Sequence, residues 1–223
     1  WGNRRQIRKI YKIIGNDMCS SLLEKPRRIG EIISYLVDNL DKPVTAKIRL
    51  GYGNRNYMKV AKIVEKAGAS AICLHGRTAK EHYDVKADWN AIREVKKKIG
   101  IPVIVNGDVF DGESAKKLLD EVDFVMVGRA AIGDPFVFDR INQYLKYGEM
   151  VEKPNLEEKY KCFSEYVKLC ERYKINRFAR IRRMSMSFAK NTPGSAKLRE
   201  KLSNCKNIDE IKDIRDKAEA FRA

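Results

Sequence analysis

Four hydrophobic stretches of this 223-residue chain end in residue types that can bind a charged ligand. They cover residues 44–49, 71–78, 102–108 and 124–129. Each is a run of apolar or β-branched residues that ends in basic side chains, histidine, asparagine or glycine. This pattern is typical of a buried strand whose carboxyl end faces a ligand site. The chemistry predicted for these ends is therefore the binding of a polar, charged molecule.

The residue types at the four ends favour a phosphorylated ligand. Gly107 and Gly128 allow the backbone to approach an anion closely, and Arg129 can pair with a phosphate. Asn106 and Asp108 would orient the polar edge of a ligand. From these residues we expect a site for a phosphorylated cofactor or substrate, for example flavin mononucleotide (FMN).

Three basic residues add positive charge that would lie near an electron-rich ring, namely Lys47, His75 and Arg77. Each feature also has a purely structural explanation. A histidine in a strand is often a hydrogen-bonded core residue, and a Gly-Arg pair after a strand is often a turn with a solvated arginine. An unpaired lysine in a buried strand is costly, however. The recurrence of such residues at four successive strand ends favours a site.

The elements that position these residues alternate regularly. Strands are predicted at 43–50, 71–75, 102–106 and 124–128, and helices at 27–40, 55–67, 88–98, 112–121 and 134–146. Nearly continuous apolar strands are typical of a parallel sheet covered by helices. A doubly wound sheet and part of a (β/α)8 barrel both fit this α/β pattern, but the glycine fingerprint of dinucleotide folds is missing. We therefore predict a partial TIM-type barrel.

The pattern changes after Pro154, where only helices are predicted, at 156–173, 176–190, 194–203 and 208–221. We expect a C-terminal helical bundle, which divides the chain into domains 1–150 and 151–223. The net charge is +16, and residues 172–201 hold ten basic side chains against one acidic side chain. A surplus of this size indicates a polyanionic partner, either nucleic acid or an anionic membrane surface.

Other function classes are excluded by composition. The five cysteines are widely spaced with no CxxC pair, so we expect no metal site and a reduced, cytoplasmic setting. No window resembles a transmembrane helix, and no membrane partner is expected.

Several collinear motifs together resemble the tRNA-dihydrouridine synthases. They are PVTAKIRLG (43–51), HGRT (75–78), HYDVKADW (82–89), IPVIVNGDV (101–109), DFVMVGRAAIGDPFVF (123–138) and RIRRMSMSFAKNTPGSAKLRE (180–200). The resemblance implies that the four strands are the last four of the family's barrel. It also implies FMN as cofactor, NADPH as reductant and tRNA as partner. A hydride would pass to a uracil ring flipped out of the tRNA while a cysteine protonates C5.

The resemblance also implies roles for individual residues. Lys47 and His75 match flavin-ring contacts, the segment 106–108 matches the ribityl and phosphate region, and Gly128 and Arg129 match the phosphate-binding pair. The predicted cofactor-binding residues are Lys47, His75, Arg77, Asn106, Gly107, Asp108, Gly128 and Arg129. The predicted tRNA-binding residues are Arg177, Arg180, Arg182, Arg183, Lys190 and Arg199.

The sequence departs from the family pattern in two places. The flavin-binding strands that precede 43–50 and the Asn-x-Gly-Cys-Pro loop with the acid cysteine are not found, and Cys19 lies too late to replace that cysteine. No catalytic residue is therefore assigned. In the tail, Met184 and Phe188 stand where relatives usually have histidine and aromatic Trp-Tyr residues. A non-catalytic tRNA-binding relative and a different FMN barrel oxidoreductase thus remain alternatives.

Overall fold

Four parallel strands form the centre of the computed structural model, which describes residues 19–192 and 194–220. They are β1 (Thr45–Arg49), β2 (Ala71–His75), β3 (Val103–Asn106) and β4 (Phe124–Met126), and they pair in the order β1-β2-β3-β4. The predicted α/β class is confirmed. Strands β1 and β4 are shorter than predicted: β1 covers Thr45–Arg49 instead of 43–50, and β4 ends at Met126 instead of 128.

Helices precede or connect these strands as the sequence predicts. They are α1 (Pro26–Asn39), α2 (Tyr57–Lys66), α3 (Trp89–Lys96) and α4 (Gly112–Leu119). The start of α3 is set by Asp88, whose carboxylate accepts a hydrogen bond from the backbone N–H of Ala91 at 3.1 Å. Such a cap satisfies a donor that would otherwise lack a partner within the helix.

The two faces of the sheet differ sharply in burial. Leu74 and Val105 lie opposite each other on the face covered by helices, and both are completely buried. Side chains alternate along a strand, so Lys47 and Cys73 point to the other face. Phe124 lies on that second face too and is 57% exposed. We call it the open face.

Helix α1 buries only part of its predicted apolar stripe. The sequence predicts one apolar stripe from Ile29 to Leu40, in which Ile29 and Ile33 are buried. Ile32 and Leu40 of the same stripe remain exposed. Beside α1 lies a groove of about 440 Å³, which the outer strand β1 and the 3₁₀ helix Cys19–Glu24 also line. The structure thus leaves apolar surface at the β1 edge that the sequence pattern predicts to be core.

The structure divides into two compact units, and each is described by itself. The first contains the described residues up to Val109 together with Ser114–Val127, and the second contains Phe110–Glu113 and the residues from Gly128 onward. The second unit holds a 3₁₀ helix (Arg129–Ala131) and the helices α5 (Val137–Tyr147), α6 (Leu156–Arg172), α7 (Phe178–Phe188), α8 (Ser195–Asn204) and α9 (Ile208–Ala220). The predicted domain boundary near residue 150 stays a prediction.

Helices α6 to α9 share one apolar core. Phe163 and Val167 of α6 pack with Ile181 of α7, Leu202 of α8 and Ile211 of α9. These side chains are at most 4% exposed, and burial of this kind is the main source of helix stability in a protein. Within the described residues, no helix has the length and apolar character needed to span a membrane.

Candidate functional site

The structure brings several predicted strand-end residues of the first unit to one edge of the open face. Arg49 lies opposite His75 in the strand register, and His75 lies opposite Asn106. Lys47 lies on the same face of β1, because side chains alternate along a strand. Lys47, His75 and Asn106 therefore share this edge, which we call the strand-end site.

Arg49 belongs to the strand-end site although the sequence analysis did not select it. Its guanidinium Nη1 donates a hydrogen bond to the backbone carbonyl of Thr78 at 2.8 Å. The signal that identifies it is the period of two along a strand, which places Arg49 on the same face as Lys47. Two permanent cations of β1 consequently lie on the face that carries His75.

Gly107 and Asp108 form a backbone corner directly after β3. Both residues have positive φ angles, +110° for Gly107 and +57° for Asp108. A Cβ atom at Gly107 would lie 2.9 Å from the Cβ of Ala87 and 3.0 Å from Cδ2 of His75. Glycine is therefore required here by both conformation and space. The result is a tight concave turn beside the imidazole of His75.

Arg77 is the most deeply buried charged side chain of the site, at 1% exposure. Its Nη2 donates hydrogen bonds to both carboxylate oxygens of Asp108, at 2.6 and 2.8 Å, and its Nε donates to the carbonyl of Val85 at 2.6 Å. Its Nη1 lies 3.4 Å from Nε2 of His75. The guanidinium thus joins three separate parts of the chain.

His75 is a buried imidazole surrounded mainly by positive charge. Desolvation lowers its pKa to about 4, and the charges of Arg49, Lys47 and Arg77 act in the same direction, while Asp108 opposes them. Burial and like charges both disfavour the imidazolium form. His75 is therefore neutral at pH 7, and it can act as a hydrogen-bonding group but not as a cation.

The loop between β2 and α3 is held against the corner by hydrogen bonds from Ala87 and from Trp89, the first residue of α3. The N–H of Ala87 donates to the carboxylate of Asp108 at 2.8 Å, and the indole N–H of Trp89 donates to the carbonyl of Gly107 at 3.0 Å. Tyr83 of this loop stacks on His75 with ring centroids 6.4 Å apart. The sequence analysis did not assign these three residues, because their contacts depend on tertiary packing.

Asn106 connects the site to the last strand. Its side-chain amide donates a hydrogen bond to the carbonyl of Met126 at 2.9 Å. Because the amide has a carbonyl end as well as an NH₂ end, fixing the NH₂ group also fixes the direction of the acceptor oxygen. Asn106 is thus oriented before any ligand binds.

Gly128 and Arg129 belong to the second unit. Gly128 immediately precedes the 3₁₀ helix that begins at Arg129, and both residues are exposed. The guanidinium of Arg129 lies over the ring of Phe110, 5.6 Å from its centroid. This cation–π contact supports the arginine within its own unit while its charge stays accessible to solvent.

The six predicted tRNA-binding residues differ in exposure. The exposed ones are Arg177, Arg180, Arg183 and Lys190, and the partly buried ones are Arg182 and Arg199. Arg182 donates from Nη1 to the carbonyls of Ser203 and Cys205, at 3.3 and 3.2 Å, where α8 ends. A cation at the carboxyl end of a helix is stabilising, so Arg182 has a structural function here.

The cysteines lie apart from the hydrogen-bonded centre of the site or are buried. Cys19 is exposed in the first 3₁₀ helix, and Cys73 is buried within β2. Desolvation raises the pKa of Cys73, and its thiol lies 3.7 Å from the sulfur of Met126. Among the described residues, no cluster of three potential metal ligands is present.

Comparison with known proteins decides the family. The model of the dihydrouridine synthase (Dus) family matches residues 10–222, which is nearly the whole chain. The chain belongs to this family. The resemblance drawn from the collinear motifs is thereby confirmed, and the dihydrouridine synthase match includes every residue of the strand-end site.

Individual relatives agree with the assignment to the dihydrouridine synthases. The chain is 38% identical to a probable tRNA-dihydrouridine synthase 1 from Synechocystis, over 94% of this chain and 60% of the relative. It is 39% identical to tRNA-dihydrouridine synthase B from Pseudomonas putida, over 66% of this chain and 45% of that protein. It is 37% identical to tRNA-dihydrouridine synthase B from Proteus vulgaris, over 76% of this chain and 54% of that protein. The chain thus spans about half the length of the curated relatives it matches.

Proposed function

We propose that this protein reduces uridines in tRNA to dihydrouridine, with FMN as its bound cofactor and NADPH as the reductant. The observation that carries the proposal is the strand-end site, where Lys47 and Arg49 lie on the same face as the neutral His75. This arrangement occurs in a chain that belongs to the dihydrouridine synthase family. Relatives with 37–39% identity are named tRNA-dihydrouridine synthases.

The donor set of the site suits a flavin. The corner at Gly107 leaves a concave turn that a Cβ atom would fill, and its backbone is fixed by Trp89 and by the carboxylate of Asp108. Bound FMN would supply the hydride that reduces the uracil ring, after accepting it from NADPH, and C5 of the ring would take its proton from an acid for which no residue of this chain is assigned. The chain's own residues must therefore stabilise negative charge on a ring and bind a phosphate.

The residues of the strand-end site fit the first of these tasks. Lys47 and Arg49 would stabilise negative charge on the ring, because cations lower the energy of a developing anion in a site with restricted water. His75 would form a hydrogen bond to the ring as a neutral group. Asn106 would orient a polar edge of the cofactor, as its side chain is already directed by Met126. These assignments support the predicted flavin contacts of the first unit.

Gly128 and Arg129, in the second unit, stay the phosphate-binding pair that the resemblance predicts. Gly128 lacks a side chain that would block the approach of an anion, and Arg129 offers a planar set of N–H donors that matches phosphate geometry. Both residues are exposed in the second unit. The support for this pair is their residue type and position after the last strand.

We also propose that the sheet is part of a TIM-type barrel. The open face of β1 to β4 would be the barrel interior, with Lys47, Cys73 and Ile104 among the side chains that point into it. Exposed Phe124 and the apolar groove beside β1 support this proposal, since both are surfaces that a complete barrel would cover.

The tRNA contacts are assigned to the predicted domain 151–223. Arg177, Arg180 and Arg183 are exposed on or next to α7, where positive charge can neutralise phosphates. Chemistry on a base requires the base to leave its stack, so binding of the tRNA backbone must be combined with flipping of the uridine. The high net charge of +16 supports this assignment.

The experiment is a reconstitution with the whole protein. Purified protein is incubated with unmodified tRNA, FMN and NADPH, and the tRNA is digested and analysed by mass spectrometry for nucleosides that have gained two hydrogen atoms. We expect dihydrouridine with the wild type and a strong loss with K47A. The matched control is K59A, because Lys59 is an exposed lysine on α2, outside the site.

Two results of this reconstitution would contradict the proposal. If the protein binds tRNA but forms no dihydrouridine with any flavin or nicotinamide donor, the non-catalytic interpretation is correct and the proposed activity is wrong. If K59A loses as much activity as K47A, the strand-end site is not where the cofactor binds.

A further inference from the structure

Most N–H donors of Arg77 are already used inside the protein. Its Nε is bound to Val85 and its Nη2 to both oxygens of Asp108, and the side chain is 1% exposed. An arginine buried to this extent is stable only because its charge is paired and its N–H groups are hydrogen-bonded. Its position inside the protein separates it from the exposed lysine of the strand-end site, Lys47.

The contact between Arg77 and His75 defines which ring nitrogen carries the proton. Nη1 of Arg77 lies 3.4 Å from Nε2 of His75. A guanidinium can only donate, so Nε2 must be the acceptor and the proton of the neutral ring must be on Nδ1. The charges that act on this imidazole are those of Lys47, Arg49 and Arg77 and the opposing charge of Asp108. Of these groups only Asp108 favours a proton on the imidazole, and its carboxylate already accepts hydrogen bonds from Arg77 and from the backbone of Ala87.

The contact between Arg77 and Asp108 holds the backbone corner. Asp108 has a φ of +57°, which is unfavourable for a residue with a side chain, so the conformation must be maintained by its surroundings. The bidentate pair with Arg77 and the hydrogen bond from Ala87 engage the carboxylate from two directions. The same guanidinium fixes the loop through Val85.

We propose that Arg77 is a positioning residue for the proposed flavin site. It holds His75 as the Nδ1–H tautomer and keeps the Gly107–Asp108 corner in place, instead of contacting the cofactor itself. His75 then presents a hydrogen-bond donor on Nδ1, and the ligand atom that it recognises is an acceptor, as a ring carbonyl or an imine nitrogen is. The role of Arg77 towards the flavin rests on the proposed function, whereas its roles in the tautomer of His75 and in the conformation of the corner do not.

The test reads the tautomer directly. The chain contains two histidines, so imidazole ¹H–¹⁵N correlation spectra of the labelled full chain are simple, and H82Q assigns the two rings. For the wild type without ligand we expect His75 to show a protonated Nδ1 and an unprotonated Nε2. In R77K we expect the Nε2 signal to move towards the protonated range, because a lysine cannot reach His75, Val85 and Asp108 at once.

R140K is the matched control. Arg140 forms a comparable bidentate pair with Asp134, at 2.7 and 3.1 Å, within the second unit. We expect R140K to leave the His75 signals and FMN affinity unchanged, whereas R77K raises the Kd for FMN by about tenfold, which is the change of about 1.4 kcal/mol expected for losing one positioning contact. Folded R77K with unchanged His75 signals would overturn the proposal.

D108N and the wild-type spectrum test the proposal in case R77K does not fold. If R77K does not fold, D108N replaces it, because it retains the shape of the side chain but removes the charge that anchors Arg77. We expect the same shift of the His75 signals in D108N. If neither variant folds, the wild-type spectrum decides, and a protonated Nε2 contradicts the proposal. A wild type that binds no FMN contradicts the proposed function alone, since the tautomer is measured without ligand.

Discussion

Arg49 and His75 lie opposite each other in the register of β1 and β2, so a permanent cation neighbours a buried imidazole. This relationship makes the strand-end site electropositive without a charge on the histidine. The positive potential comes from Lys47 and Arg49, and His75 contributes hydrogen bonding only. A pH-dependent property of the protein should therefore report His75 well below neutrality.

The first prediction concerns stability as a function of pH. The pKa of His75 is about 4 in the folded protein, compared with 6.5 for an ordinary histidine. The unfolded chain therefore binds the proton first as the pH falls. The stability contributed by His75 is fully present above pH 6.5 and is lost between pH 6.5 and 4, at about 1.4 kcal/mol per pH unit.

Urea unfolding of the wild type and H75Q at several pH values measures this effect. We expect the difference in unfolding free energy between the two proteins to shrink as the pH is lowered from 6.5 to about 4. H82Q is the control, because His82 is exposed. A wild-type minus H75Q difference that does not depend on pH would show that folding does not lower the pKa of His75.

The second prediction compares two glycines with positive φ. In G107A the new Cβ meets Ala87 and His75 at 2.9 and 3.0 Å, whereas a Cβ at Gly148 meets nothing within 4 Å. G148A should cost about 1–2 kcal/mol through backbone strain alone. G107A should cost clearly more, about 2–5 kcal/mol, because strain and overpacking add. Thermal or urea unfolding checks both variants, and equal losses would mean that the corner has room for a side chain.

Much of the fold follows from the sequence because strands and helices have regular periods. The apolar stretches that contain Ile72, Leu74 and Val105 predict buried strands, and all three side chains are completely buried. The same regularity accounts for the shared edge of Lys47 and His75, since parallel strands place their carboxyl ends together. Local sequence is sufficient for these features.

The internal order of the site is not predictable in this way. The sequence predicts Arg77 as a positive charge beside the cofactor, but the structure buries its side chain, because the carbonyl of Val85 and the carboxylate of Asp108 both accept hydrogen bonds from it. Likewise, Leu40 in the apolar stripe of α1 is 50% exposed, because β1 is the outer strand of the sheet. Both outcomes depend on tertiary neighbours that no local pattern contains.

The third prediction tests the difference between the two faces of the sheet. Leu74 is completely buried, whereas Phe124 is 57% exposed on the open face. L74A should lower the unfolding free energy by about 2–5 kcal/mol through lost burial and a cavity. F124A should change the unfolding free energy by no more than about 0.5 kcal/mol, as substitutions at exposed positions do. A large loss in F124A would show that the open face is packed in solution.

The fourth prediction separates two neighbouring arginines of α7. Arg183 is exposed, whereas Arg182 donates to the carbonyls of Ser203 and Cys205. R183A should weaken tRNA binding and reduce the slope of log K against log salt by about 1, with unchanged stability. R182A should instead lower the unfolding free energy by about 1 kcal/mol, the value of a helix-terminal cation, and leave most of the salt slope intact.

Filter binding at several salt concentrations, combined with urea unfolding, distinguishes the effects of R182A and R183A. If R182A reduced the slope as much as R183A did without loss of stability, Arg182 would be a phosphate contact, and its bonds to α8 would not persist when tRNA binds.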